Sequence, residues 1–400
     1  MLNPRSLHDQ LLYPHACFSA LHQKGSVVYN EEAKCWEVFD YDLVRHIASE
    51  SEIFSSEYTR VKPVSEDEEI SRQTSMLGLD PPRHNQLRAL VSQAFTPRTI
   101  VQLAPRIAEI SRELLDTVAS QEHMDIIDDF SAPLPVIVIS EMLGVPASDR
   151  EQFKQWSDEL IAVEYDEIID EAQRKAMIQR IRQTVRKIED YFRQVLAERR
   201  RQPQNDLISA LLAAQIEGQS LTEEELLGFC TLLLVAGNIT TTNLIGNALL
   251  CFDEHPEVME HLHATPELVP SAIEEVLRYR SPAVVIVRYP LSDVTVGDQH
   301  IKRGETIMAW LACANHDPAQ FPDAERFDVE RNPNKHLAFG HGLHFCLGAP
   351  LARLESKIAL EIVLQRFDNI RRVSTQNVDP VSSSFIYGIK HLPVTFSVRS

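Results

Sequence analysis

The stretch Phe339-Gly340-His341-Gly342-Leu343-His344-Phe345-Cys346-Leu347-Gly348-Ala349-Pro350 decides how this chain is read. Three of the 13 glycines in 400 residues fall within nine positions here. Glycine permits positive φ and lets the backbone approach a flat ligand closely. Pro350 suits the first turn of a helix, where the amide it lacks would be unsatisfied anyway. Leu351, Leu354, Ile358 and Leu360 carry that helix onward with helical spacing. Cys346 is therefore expected at a helix N-terminus, where unpaired amides and the positive dipole end favour thiolate over thiol. A thiolate so placed is what an axial metal ligand requires. The plain alternative, a small apolar Cys in a turn, does not account for the glycine frame around it.

Outward from this loop, the composition excludes several classes. Hydrophobic residues make up 44% and charged residues 24%, an ordinary globular balance. With 39 Lys+Arg against 58 Asp+Glu the net charge is −19, so there is no overall positive field for nucleic acid or an anionic membrane surface. The six cysteines (Cys17, Cys35, Cys230, Cys251, Cys313, Cys346) include no Cys-x-x-Cys and no close pairs, so they build neither a disulfide framework nor a zinc ribbon. The first 22 residues carry Arg5, His8 and Asp9 before any apolar run, unlike a secretory leader, and a cytoplasmic setting is expected. Leu226 to Phe252 lacks charge for 27 residues, long enough to span a bilayer. Its three Asn and four Thr side chains, without a basic flank, favour the buried central helix of a soluble fold.

Apolar spacings of three and four predict helices over 41–52, 84–95, 99–118, 130–143, 148–200, 222–252, 266–280 and 349–367. Val27–Tyr29 and Trp36–Val38 read as a hairpin, and 283–311 and 383–398 alternate like short strands. With no linker or repeat, the expectation is one large domain over 1–400, mainly α with small β-sheets. Two charged stretches, Arg60 to Arg72 and Tyr165 to Arg174, read as solvated faces or as a mobile lid.

The loop resembles the signature of the haem-thiolate cytochromes P-450 of the soluble bacterial kind, Phe-x-x-Gly-x-His/Arg-x-Cys-x-Gly. Phe339, Gly342, His344, Cys346 and Gly348 fill its fixed positions, and the resemblance extends along essentially the whole chain. It implies the cytochrome P-450 fold and a haem b cofactor (iron protoporphyrin IX). Cys346 would be the iron ligand, Phe339 would lie near the sulfur, Gly340 and Gly348 would belong to the cofactor cradle, and His344 would meet a haem propionate. Asp80-Pro81-Pro82-Arg83-His84-Asn85-Gln86-Leu87-Arg88 resembles the family's Asp-Pro-Pro-x-His-x-x-x-Arg, which gives His84 and Arg88 to the propionates. Their spacing of four puts both on one helix face. Arg288, ten residues after Arg278, matches a further propionate-binding Arg on a strand. Four cations on two carboxylates make chemical sense.

Glu275 and Arg278 lie three apart, so they share a helix face. Standing alone they would be a surface pair of small worth. The resemblance instead implies a buried pair joined by Arg326 of the Arg326-Phe327 element, with Ala324 where a proline is common. Ala236-Gly237-Asn238-Ile239-Thr240-Thr241 resembles the family's Ala-Gly-x-Glu/Asp-Thr-Thr/Ser in the central helix. There Gly237 is implied to leave room beside the iron, and Thr240, followed by Thr241, to meet dioxygen or the water that delivers protons. The plain reading of a mid-helix Thr is a bond to the carbonyl four residues earlier. Ile239 stands where the family has an acid, so the usual proton carrier is missing. Val235, Ala236, Val284, Val285 and Ile386 align with pocket-lining positions, although apolar residues there serve equally as core.

The implied activity is monooxygenation, insertion of one oxygen atom from dioxygen into a C–H bond of an apolar small molecule. No nicotinamide or flavin fingerprint is present, so electrons would come from a separate ferredoxin or flavodoxin with its reductase, docking on a patch formed by Arg83, Arg98, Arg353 and Lys357. A monomer without nucleic-acid or membrane partners is expected. Ile239 keeps open a peroxide-using or non-oxygenating haem-thiolate enzyme, and a third reading is a non-catalytic haem-binding or sensing protein.

Overall fold

The computed structural model describes residues 14–62, 76–161, 171–216, 218–373, 378–381, 383 and 385–399. Most of the charged 60–72 run, and 165–170 of the second charged stretch, lie outside these residues. Helix dominates, as the periodicity predicts. At the centre runs Glu223–Glu254, opened by a capping box between Thr222 and Glu225 and by three glutamates in its first turn. From Thr241 to Phe252 every residue is buried, so this half of the helix is surrounded by protein on all sides. It packs on Pro133–Met142, Arg150–Ile161, Glu171–Arg201, Val269–Tyr279 and Ala349–Arg366. The largest apolar core is built at these contacts.

Small sheets lie beside the helices. The expected hairpin forms from β1 (Val27–Asn30) and β2 (Cys35–Val38), paired antiparallel with Val27 opposite Val38. It extends into a five-stranded sheet with β3 (Phe54–Ser55), β5 (Ile286–Pro290) and β8 (Ile307–Ala309), in the order β1-β2-β8-β5-β3. The β2/β8 pair is parallel and the others antiparallel. β4 (His123–Asp125), β9 (Phe367–Arg372) and β10 (Pro393–Val398) form a second sheet, and β6 (Val294–Val296) pairs with β7 (Gln299–Ile301).

Several predicted boundaries shift. The single helix expected over 99–118 is two, Pro97–Val101 and Ala104–Val118, the second starting with Pro105 in its first turn, where a proline is tolerated. Residues 130–143 divide into a π-helical turn, Ile126–Ser131, and Pro133–Met142, again at a proline. Helices Leu207–Ala213 and Pro256–Ala264, and strands β4 and β9, were not among the elements read from the sequence.

Candidate functional site

The cysteine loop takes the shape its glycines permit. Gly340 and Gly342 have φ of +71° and +67°. A Cβ on Gly342 would lie 2.8 Å from the Ser49 Cα and 3.0 Å from the Ala48 carbonyl oxygen. Gly342 is thus required twice, for its backbone angle and for this close approach. Gly348 has an ordinary φ of −80° and serves as the N-cap of Ala349–Arg366, with Pro350 in the first turn. The Cys346 amide donates to the Phe339 carbonyl at 2.9 Å, closing the loop on itself. The Phe339 ring is covered by the Arg353 guanidinium at 4.5 Å.

The amides of Gly348 and Ala349 do point at the Cys346 sulfur, as a helix N-terminus requires, but they do not prevail. Burial pushes the thiol up, and those two amides, with the charges of Arg88 and Arg353, offset only part of it. The amides thus act toward thiolate, as expected, and burial acts against them.

His84, Arg88, Arg288 and His344 come together from the helix Arg83–Ala94, β5 and the cysteine loop. The two imidazole rings lie 4.3 Å apart between centroids. His84 is fully buried and its Nε2 has no hydrogen-bond partner. His344 Nε2 shares a 3.0 Å hydrogen bond with Ser56 Oγ. Arg288 is 7% exposed, and its one hydrogen bond among the described residues goes to the neighbouring Val287 carbonyl at 2.9 Å. The expected four cations are two. Burial lowers the His84 pKa, and burial together with Arg288 and His84 lowers that of His344 to about 3, so both imidazoles are neutral. Burial also brings Arg288 down to about 10, with only Asp80 opposing. Asp80 is committed elsewhere, to Ser55 Oγ, the Ser56 amide at 3.0 Å and Arg60 at 2.8 Å. Two guanidiniums without carboxylate partners of their own and an orphaned buried imidazole nitrogen beside a cysteine fit a flat, dianionic metal cofactor.

Glu275 and Arg278 are both 0% exposed and pair at 2.9 Å and 2.7 Å, as the resemblance implies. The third guanidinium is not that of Arg326, whose side chain is exposed. Arg326 offers only its carbonyl, to Arg278 at 3.0 Å. Arg331 takes the place, with its Nε 3.3 Å from Glu275. The turn ending at Arg326 directs carbonyls inward and side chain outward, while Arg331 reaches back to bind Pro322, Asp323 and Arg326 carbonyls as well. Asn334 and the Asp328 amide complete the shell of Glu275 at 3.0 Å and 2.9 Å. Nothing in the local sequence distinguishes Arg331 from Arg326, since only the fold decides which guanidinium turns inward.

On the central helix, Thr240 Oγ1 donates to the Ala236 carbonyl at 2.8 Å, the plain reading of a mid-helix threonine. Thr241 is buried, Ile239 is half-buried, and Asn238 is tied to Ser157 at 2.6 Å. Gly237 does not face open space. A Cβ there would lie 3.0 Å from Ile139 Cδ1, so its smallness serves the packing of Pro133–Met142. These residues make no hydrogen bond to the cysteine loop or to the cation cluster.

Among the expected pocket residues, Val284 and Val285 pack with Phe18, Phe39 and Tyr387 in a small core of their own, because the N-terminal helix Pro14–Lys24 covers them. Ala236 is exposed, Val235 half-buried, and Ile386 bridges Ala283. A cavity of about 470 Å³ is instead lined by Tyr58, Leu77, Leu79, Val287 and Phe385, together with Arg288 and His344. The alternating pattern of 283–289 could have pointed to Val287, but nothing flagged Tyr58 or Phe385. The expected docking patch is also largely neutralised. Arg83 pairs with Glu225 at 2.7 Å, Arg353 with Glu274 at 2.7 Å, and Lys357 with Glu361 at 3.7 Å. None of the six cysteines is in a disulfide.

Comparison with known proteins agrees with this geometry. The family model for cytochrome P450 matches residues 14–392. Cytochrome P450 109 of Bacillus spizizenii is 41% identical over 389 residues, covering 97% of this chain and 93% of its own. The cyclomarin C epoxidase CymV of Salinispora arenicola is 40% identical over 363 residues, 91% of each chain. The crystal structure of CYP109E1 from Bacillus megaterium in complex with testosterone is 40% identical and superposes with a TM-score of 0.86, covering 96% of this chain and 99% of that one. The chain belongs to the cytochrome P450 family and is a haem-thiolate monooxygenase that uses dioxygen, a small-molecule substrate and redox partners.

Proposed function

We propose that this enzyme binds haem b through Cys346 and inserts one oxygen atom into a C–H bond of an apolar small molecule in the cavity bordered by Val287, Leu77, Leu79 and Phe385. The observation that carries the assignment is the convergence of Arg88, Arg288, His84 and His344 beside the half-buried Cys346, with His84 Nε2 unpartnered. When bound there, haem supplies the redox chemistry of dioxygen, with thiolate donation favouring O–O cleavage. The residues do the rest. Arg88 and Arg288 would hold the two propionates by charge, and the imidazoles of His84 and His344 would donate to them. Gly340, Gly342 and Gly348 would let the loop backbone come close to the bound group, and Phe339 would lie near the sulfur.

On the central helix, the Thr240 hydroxyl spends its proton on the Ala236 carbonyl and presents its oxygen lone pairs as acceptors. Water held there is oriented by Thr240, and Ile239 leaves its proton supply to the substrate or to further waters. The relative crystallised with testosterone supports a bulky apolar substrate, and the apolar side chains of the cavity suit one. Electrons are proposed to come from a ferredoxin or flavodoxin with its reductase in the cytoplasm, to a monomeric enzyme. Because Arg83, Arg353 and Lys357 are already paired, Arg98 is the one residue of the expected patch without a carboxylate partner among the described residues. The test is NADH-driven turnover of a steroid with a ferredoxin system and dioxygen, against turnover with hydrogen peroxide alone. Hydroxylated product only in the first arm supports the reading; product only with peroxide replaces it by the peroxide-using alternative that Ile239 favours.

A further inference from the structure

The short strand β3 and the turn that follows it bring a serine to one of the two clustered histidines. Ser56 Oγ lies 3.0 Å from His344 Nε2, the one hydrogen bond its side chain makes among the described residues. The two residues are 288 positions apart, so the fold alone makes this contact. Both border the cavity of about 470 Å³, whose wall also includes Arg288 and, from the same turn, Glu57, Tyr58 and Thr59.

The backbone that carries Ser56 is fixed from two sides. Phe54 is 0% exposed and belongs to an apolar cluster with Ile47 and Ile307, and Ser55 pairs across the sheet with Tyr289, the neighbour of Arg288 in β5. On the other side the buried Asp80 carboxylate accepts from the Ser55 hydroxyl, from the Ser56 amide at 3.0 Å and from Arg60 at 2.8 Å. The Asp80 carbonyl accepts from the His84 amide at 3.0 Å. One aspartate therefore holds both the turn that meets His344 and the start of the helix that carries His84. The plain reading, a serine that satisfies a half-buried ring, does not explain why a buried carboxylate is committed to this turn.

A hydroxyl can donate to an imidazole nitrogen or accept from it. Were the ring proton on Nε2, Nδ1 would offer a lone pair, and an anionic propionate would be repelled. With Ser56 donating to Nε2, the ring proton lies on Nδ1 and can be given to a carboxylate. We propose that Ser56 is a positioning residue for the haem, one that fixes the His344 imidazole as an Nδ1–H donor to a propionate; this rests on the haem reading above. Asp80 holds Ser56 for that task, and the contact joins the cavity wall 56–59 to the propionate side of the site. Loss of the hydroxyl weakens haem retention. It also leaves propionate charge less compensated, which disfavours the additional electron of the ferrous state.

Retention is read by transfer of haem from the loaded protein to excess apomyoglobin, and the ferric/ferrous potential by equilibration with redox dyes. The proteins compared are wild type, Ser56→Ala, Ser56→Thr and Arg288→Gln. Ser56→Ala keeps the amide that Asp80 binds, so the turn is preserved. It should lose haem roughly 2–10-fold faster, the scale of one net hydrogen bond, and its potential should move negative. Ser56→Thr keeps the hydroxyl and should restore both. Ser56→Ala matching wild type in either measurement, or Ser56→Thr failing as Ser56→Ala does, overturns the proposal. Arg288→Gln separates the two readings, because loss of its charged contact should speed haem transfer by roughly 10–100-fold. That acceleration with Ser56→Ala unchanged removes only the role of Ser56, whereas Arg288→Gln at the wild-type rate removes the propionate assignment itself.

Discussion

The Arg278 guanidinium lies in a two-pronged pair with the Glu275 carboxylate, 2.9 Å and 2.7 Å, and neither side chain reaches solvent. The remaining Arg278 N–H groups donate to the carbonyls of Asn315, Ala324 and Arg326, so the pair ties the helix Val269–Tyr279 to the segment beyond it. Such a pair is worth little against a well-packed apolar replacement, but removing one partner strands a buried charge.

Glu275→Ala is therefore expected to cost about 3–5 kcal/mol, seen as a lower unfolding midpoint and a smaller haem content. Arg331→Ala should also destabilise, because it removes a guanidinium from Glu275, whereas Arg326→Ala keeps its carbonyl and should change stability by less than about 0.5 kcal/mol. Equal effects of the two arginine variants in thermal unfolding would contradict the assignment of Arg331.

Gly237→Ala tests the packing reading of the central helix. The new Cβ meets Ile139 at 3.0 Å, and overpacking of this kind costs roughly 1–3 kcal/mol. Ile139→Val in the same chain should restore much of that loss. An additive double mutant, measured by denaturant unfolding, would mean that the two residues do not press on each other.

Burial alone would raise the Glu274 carboxyl, but hydrogen bonds from Arg353 and His336 reverse this and hold it at about 2. A carboxyl with a depressed folded pKa adds stability above its unfolded value, which is lost as pH falls from about 4.5 through about 2. Glu274→Gln should therefore be less stable than wild type at neutral pH, the gap closing across that window. Parallel stability curves from pH 6 down would contradict the pairing.

Legibility in the sequence followed physical reach. The cysteine loop was readable because local backbone demands fix it: Gly340 and Gly342 need positive φ, and Pro350 marks the helix start. The central helix was readable because seven polar residues in an uncharged run speak for burial inside protein. Features set by tertiary contact were not. Arg331 rather than Arg326 serves Glu275 because of how one turn points its carbonyls. Val284 and Val285 became core because Phe18 arrives from more than 250 positions away, and the two histidines lost their charge to burial and to Arg288.

Ile239→Glu restores a carboxylate beside Thr240, where general acid–base groups contribute ~10²–10⁴ in rate. The fraction of NADH converted to hydroxylated product should rise relative to wild type with the same substrate and redox proteins. A fully coupled wild type, with the variant no better, would mean that protons reach the site without this position.

The central claim is that Cys346 is the iron ligand. Cys346→Ser removes the sulfur with little change in volume, and the absorption spectrum of the reduced, carbon monoxide-treated protein reads the ligand directly. Wild type should show the strongly red-shifted Soret band of thiolate ligation, and Cys346→Ser should lose it while Cys35→Ser and Cys251→Ser retain it. A red-shifted band that survives in Cys346→Ser would contradict the account.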